Sequence, residues 1–415
     1  MKSYLSIFLF LVFLTTSCST QDSMEELTGE EAIEEDVVEE QKLSTYFTFK
    51  TGCNLILGSF DFYVILHTEK GELIDFKPFN YLINESLEFK ALENETPDDF
   101  TVTVFIIGSE GENPGYSLSS ISQFKKGETL DYSCEAGNLS AKTGSFNLVV
   151  DNIPNVNGVV TGFSAWNGET SGLLAPGKAV QGNLVSYFGD FDILESKRDY
   201  IISVQDGNQN SKYYVLSNYN VGDSLKLDYS NFSNYDKYLE IDYPQHYGLS
   251  FSLIGSSSEP KESYALSSIF STAGLEGVLR AGELNRFDSY DIKFSIKPTP
   301  KYEYRYRKVG ELPDVVVIPE QPLMSIEDAS ITNFKFNINL TGYLLKTSYW
   351  TNLDGASIKT WTWSVQSKEN HYPTIGELPD ELLEQYPNLD LEDLRFTQTT
   401  FRLNDQETIT LWNPN

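Results

Sequence analysis

The chain predicts an all-β protein built of tandem β-sandwiches, and three observations carry that expectation. Short runs rich in Val, Ile, Phe, Tyr and Thr are separated by Gly, Asn, Asp and Pro turns, the punctuation of a sandwich. With 25 Tyr and 26 Phe among 415 residues, the composition suits pleated, half-buried surfaces. Long runs with a helical hydrophobic period are absent.

Taken in order, the runs Tyr46–Lys50, Phe62–His67, Phe100–Ile107, Phe146–Val150, Tyr200–Val204, Tyr213–Leu216, Asp291–Ile296 and Phe334–Ile338 read as strands. An internal echo divides the first half. Phe124-Lys-Lys-Gly127-Glu-Thr-Leu-Asp-Tyr-Ser133 closes one unit, and Tyr219-Asn-Val-Gly222-Asp-Ser-Leu-Lys-Leu-Asp-Tyr-Ser230 closes the next, with the two glycines 95 residues apart. That spacing is one small sandwich. The units are therefore read as 44–136 and 141–234, followed by a less regular β domain at 238–318 and a Trp-rich β domain at 319–415. Ser263 to Gly282 reads as a short helix or a long loop, and Pro379 to Tyr386 as a helical turn between strands. Tyr302-Glu-Tyr-Arg-Tyr-Arg-Lys308 alternates aromatic with charged residues and reads as an amphipathic edge strand, with a partner-binding ribbon as the alternative. A second echo, Val309–Asp314 against Ile375–Asp380, is a shared loop or a coincidence.

The first seventeen residues carry one lysine, an apolar stretch from Leu5 to Leu14 and small residues before Cys18. This is a signal peptide (1–17), too short to span a bilayer. Its end resembles the lipobox of bacterial lipoproteins, although Thr15 stands where a leucine is usual. The resemblance implies a diacylglyceryl thioether on Cys18, which then becomes the N-terminus. Ten acidic residues and no basic one lie between Ser19 and Gln41. Residues 18–43 are thus expected to be a solvated, disordered tether. Acidic residues behind a lipidated cysteine also resemble the export signal of Bacteroidota surface lipoproteins. That resemblance implies an outer-membrane, surface-exposed, lipid-anchored protein built of tandem immunoglobulin-like modules. Asp22-Ser23-Met24 and Asp223-Ser224-Leu225 match a short O-glycan acceptor pattern of those bacteria, a weak signal at three residues.

A formal net charge of −30 disfavours nucleic acid and anionic headgroups as partners. With Cys18 taken by lipid, Cys53 and Cys134 remain. In an oxidising compartment they would form one disulfide across the first unit, closing a loop of about 80 residues worth roughly 4.5 kcal/mol at most. Two free buried thiols are the alternative.

No catalytic constellation is expected. His67, His246 and His371 fall in different units, and no His-Glu-x-x-His motif or Gly-x-Ser-x-Gly elbow is present. Asp206-Gly-Asn208-Gln-Asn210 begins like a calcium loop, but Ser211 and Ser217 occupy the positions that need Gly and Glu, so a polar hairpin is expected. Neither a metal nor a cofactor is implied.

Four of the five tryptophans, Trp350, Trp361, Trp363 and Trp412, fall in the last 66 residues. Trp361-Thr-Trp363 places two indoles on one face of a strand. With Trp350, Asp354, Asn352, Lys359 and Gln366 nearby, they form a candidate platform for stacking on sugar rings. The other reading is that they are core, or pack on a neighbouring domain. The expected function is a non-catalytic surface lipoprotein that binds polysaccharide or serves as an accessory subunit of an outer-membrane uptake complex. The alternative is a structural or assembly subunit of an envelope complex with no glycan ligand.

Overall fold

The computed structural model describes residues 43–52, 60–92, 97–108, 115–133, 140–154, 163–166, 171–172, 175–180, 182–206, 210–259, 261–352, 361–387 and 389–413. The leader, Cys18, the tether, Cys53, Cys134, Asp354 and Lys359 lie outside the described residues. The regular secondary structure described is nearly all strand, arranged in mixed sheets. The predicted helical turn is the short helix Asp380–Gln385, with Asp380 and Glu381 in its first turn, where the helix dipole favours acids.

The first unit is a sandwich. One layer is the sheet Glu85–Leu92, Leu43–Thr51, Thr129–Asp131; the other is Leu73–Phe79, Phe60–Thr68, Asp99–Gly108, Gly115–Lys125. Tyr46, Phe47, Phe49 and Phe89 pack against Phe62, Val64, Leu66, Phe100, Val102 and Val104. Phe47 meets Phe89, Phe100 and Phe124 at ring distances of 5.7, 5.5 and 5.6 Å. Each such buried ring contributes about 1.5–3 kcal/mol of burial. The opposite faces of the same strands, through Ile65, Phe105, Ile107 and Leu118, enter a second core with Trp350, Trp361 and Trp363. Burial on both faces is why Phe62–His67 and Phe100–Ile107 are nearly unbroken apolar runs.

The internal echo is a structural repeat. Gly127 donates to the Tyr46 carbonyl at 2.7 Å while Thr48 donates to that of Glu128 at 3.2 Å. In the second unit Gly222 donates to the Ser145 carbonyl, and Asn147 to that of Asp223, both at 2.8 Å. In both units the closing strand then runs parallel to the opening one, Thr129–Asp131 beside Thr48–Lys50 and Ser224–Asp228 beside Asn147–Asp151. The two glycines adopt φ of +86° and +82°, a conformation that costs other residues about 1 kcal/mol or more. Each Asp-Tyr-Ser then makes the same local turn, with Asp131 accepting from Ser133 and Asp228 from Ser230.

Two segments differ from expectation. Ser263 to Gly282 is neither helix nor long loop: it holds the strands Glu262–Ser271 and Gly277–Glu283. Tyr302–Lys308 is no edge strand either, because Tyr302–Gly310 is flanked on both sides, by Ser289–Thr299 and Glu407–Trp412. Its alternation reflects a buried tyrosine face and a charged outer face, where Arg305 bonds Glu303 at 2.7 Å and Arg307 bonds Asp291 at 3.3 Å. The second echo is a coincidence of letters, since Gly310 ends a strand whereas Gly376 lies in the loop before the helix.

The described residues form four cores: two lie within 46–132 and 146–232, one joins residues 65–118 to 331–396, and one draws on 201, 235–316 and 343–411. The sheet likewise ignores the predicted boundaries. Strands of the third unit, Glu262–Ser271, Leu249–Ser257, Ser289–Thr299 and Tyr302–Gly310, continue into Glu407–Trp412, Arg395–Arg402, Leu345–Thr351 and Trp361–Lys368 of the fourth. These continue into the four-stranded layer of the first, giving one twelve-stranded sheet. The join is parallel, Trp361 beside Tyr116 through Gln366 beside Ile121. The second unit packs on the third: Ile201 enters its core, and Ser203 Oγ and Tyr235 Oη both donate to the Leu266 carbonyl. Residues 43–415 make one compact unit.

Candidate functional site

The tryptophans define the first candidate, and the structure corrects it. Trp350, Trp361 and Trp363 are 0, 2 and 1% exposed. Trp350 stands edge-on to Phe334 at 5.0 Å, and its Nε1 donates to the Ala329 carbonyl at 2.8 Å. Trp363 Nε1 donates to Ser120 Oγ at 2.8 Å across the parallel join. Trp361 Nε1 is buried without a partner among the described residues. These indoles fill the core between the first and fourth units and offer no open face to a sugar ring. The signal was present: Trp361, Trp363 and Val365 form one buried stripe while Thr362 faces out. Trp412 is half-buried, with Lys297 Nζ 3.9 Å from its ring centre, and does not join the other three.

The same join gathers the ionisable groups that sequence reasoning scattered. The segment from Lys368 to Pro379 straps across the hairpin turn at Glu69–Gly71. His371 Nε2 donates to Glu69 Oε2 at 2.9 Å, and Glu69 Oε1 accepts from the Gln123 amide at 2.9 Å and Thr101 Oγ1 at 3.2 Å. His67, buried beneath the strap, donates from Nε2 to the Glu377 carbonyl at 2.9 Å. Burial holds the His67 imidazole below its ordinary range, opposed by that hydrogen bond. A cleft of about 460 Å³ lies beside this clasp, lined by Glu69, Glu72, Asp99, Gln123, Lys125 and His371. Glu69 spends its lone pairs on internal donors; among the described residues no serine, threonine or cysteine bonds the His371 ring, and Ser367 Oγ donates instead to the His371 carbonyl at 2.8 Å. The arrangement is a structural clasp.

On the other side of the strap, a cleft of about 440 Å³ is lined by Phe336, Tyr343, Lys346, Glu369, Asn370 and Tyr372. Lys346 is buried and donates to the Lys368 carbonyl at 2.9 Å and the His371 carbonyl at 2.6 Å, pinning the turn between them. Burial pushes its amine down to about 8, with the Glu369 carboxylate pulling the other way. Nothing in the sequence around Lys346 announced this role, since it is set by carbonyls more than twenty residues away.

Asp206 sits at the end of the expected polar hairpin, whose strands Tyr200–Gln205 and Ser211–Leu216 pair in register. Its carboxylate accepts from the Asn210 amide at 2.9 Å and from Tyr229 Oη at 3.3 Å, bonds that close the hairpin; Asn208 lies outside the described residues. Among the described residues no cluster of three or more His, Cys, Asp or Glu is placed to hold a metal, and no helix is long and apolar enough to cross a membrane.

The fifth feature is a groove of about 640 Å³ lined chiefly by Tyr243, Pro298, Tyr302 and the run Val315–Pro319. It is the most apolar of the clefts described, and Asp314-Val-Val-Val-Ile-Pro319 is the sequence signal for it. No family model matches this chain, and no curated protein matches it.

Proposed function

We propose that this chain is a non-catalytic, lipid-anchored protein of the outer-membrane surface whose body assembles with other envelope proteins. In this reading Cys18 carries the anchor, and the role is that of a structural or accessory subunit, for instance beside an uptake transporter. The observation that carries it is the fate of the C-terminal aromatics and ionisable groups. They are spent inside the molecule, on the core and the clasp that fuse the first and fourth units. What is left for a partner is the surface of one broad β body.

The test is isolation of the tagged protein from mildly solubilised outer membranes. Co-purification of defined membrane proteins in fixed proportion is expected, and recovery of the chain alone overturns the reading. Replacing Cys18 by alanine is expected to abolish acylation and partition into detergent; retained partition would remove the anchor from the proposal.

Glycan capture is the second reading, moved to the cleft where Phe336 and Tyr372 are half-buried beside Lys346, Glu369 and Asn370. Rings and polar groups side by side are what a sugar-binding cleft needs. Polysaccharide retention lost in Phe336→Ala but kept in Trp363→Phe supports it, and no retention by the wild-type chain refutes it.

A further inference from the structure

The strand Lys237–Tyr243 pairs only with Gly277–Glu283, in a two-stranded sheet, so its outer edge meets no strand among the described residues. Across the apolar groove runs Glu311–Pro322, which belongs to no strand or helix. The backbone groups of Asp314–Ile318 make no hydrogen bond among the described residues. The segment is nevertheless anchored: Val316 is 5% exposed, and Tyr302 Oη donates to the Pro319 carbonyl at 2.8 Å. Val315 and Val317 point outward, 65 and 68% exposed. Out, in, out is the side-chain rhythm of a strand, here with its ladder unmade.

The groove is lined by the end of that open-edged strand, Asp242 and Tyr243, and by the unpaired Val315–Ile318 backbone, with apolar residues between; this suits an extended chain that adds main-chain hydrogen bonds and seats alternate side chains. The charge narrows it further. Asp242 and Glu320 line the groove, and no Lys, Arg or His lines it. A second copy of this chain, itself at −30, would be repelled. We propose that this groove binds an extended, basic β-strand of a partner protein, laid between the Lys237–Tyr243 edge and the Asp314–Ile318 segment. The inference rests on the assembly reading and gives that assembly a contact.

The probe is a labelled eight-residue peptide alternating valine and lysine, compared with a block peptide of the same composition and with one alternating valine and glutamate. Binding to the folded chain is followed by fluorescence anisotropy and amide hydrogen exchange. The alternating basic peptide is expected to bind at least tenfold more tightly than either control and to slow exchange within 237–243 and 314–318. The double variant Val315→Ser/Val317→Ser, at exposed positions that leave the core intact, is expected to weaken it at least tenfold with an unchanged melting temperature. Equal binding of alternating and block peptides would reduce the effect to bulk charge and overturn the proposal. So would no binding, protection elsewhere, or indifference to the double variant. In cells, a membrane complex that survives the double variant overturns the groove but leaves the assembly reading standing, whereas a wild-type chain that purifies alone overturns that reading itself.

Discussion

Replacing Trp363 by alanine separates the two meanings of the tryptophan pair. The indole is 1% exposed, lies where Trp361–Lys368 runs parallel to Gly115–Lys125, and donates to Ser120 Oγ at 2.8 Å. Ser120 Oγ also bonds Thr103 Oγ1 at 2.7 Å, so the hydroxyl keeps one partner when the indole is removed. The main cost is therefore the cavity, about 3–5 kcal/mol for a large aromatic cut to alanine. The lost hydrogen bond accounts for about 1 kcal/mol of that. Trp363→Phe keeps most of the ring volume and is expected to cost about 1–2 kcal/mol. Urea titration followed by far-ultraviolet circular dichroism measures both, with iodide quenching of wild-type tryptophan fluorescence as an independent gauge of burial. Because the bonded residues are 243 apart in sequence, the first and fourth units are expected to lose stability together. A Trp363→Ala chain within 1 kcal/mol of wild type would refute the placement of this residue in the core.

Three further outcomes follow from the same geometry. Lys346 has its amine pushed from 10.5 to about 8 by burial, so between those values the unfolded chain holds a proton that the folded chain has released. Stability is therefore expected to rise with pH across that window, by at most about 3 kcal/mol, and Lys346→Met is expected to flatten the rise in urea midpoints measured from pH 7.5 to 10.5. At Gly127 and Gly222 an added Cβ would meet nothing within 4 Å; each Gly→Ala change is thus a pure backbone cost of about 1 kcal/mol. Because the two sites serve separate cores, thermal melts of the double variant should show additivity. Glu69→Ala strips His371, Thr101 and the Gln123 amide of their shared acceptor. A loss of about 1–3 kcal/mol is expected, with faster hydrogen exchange in the strap at 368–379 and none of that acceleration in the second unit.

What could be read from the chain alone was local. The β class followed from runs such as Phe146–Val150, whose alternation survives as an inward-facing Phe146, Leu148 and Val150. The repeat showed itself because a left-handed glycine followed by Asp-Tyr-Ser is a short, rigid device that needs the same letters twice. Even the turn at Pro379 was legible, since proline and acids at a helix start act within a few residues. Misreadings arose where distance decided. Trp361 and Trp363 looked like a sugar platform because their cover comes from Leu118, Phe105 and Ile65, some 250 to 300 residues earlier. Tyr302–Lys308 looked like an edge because its second neighbour, Glu407–Trp412, is a hundred residues away. Ser263 to Gly282 misled through its Gly, Ala and Ser content, weak signals that strand pairing overrode.

The parallel join carries a consequence for how the molecule is made. A chain synthesised from its N-terminus lays down Gly115–Lys125 more than two hundred residues before Trp361–Lys368 exists to flank it. Until then that strand has one bare edge, and Ile65, Phe105 and Leu118 have no cover. Contacts of such sequence separation form slowly, because loop closure must be met before they contribute. The first half is thus obliged to wait for the last, and the waiting surface is both apolar and edge-exposed, the combination most prone to wrong pairing. Shielding of that surface until the C-terminal strands follow would guard this topology against wrong pairing.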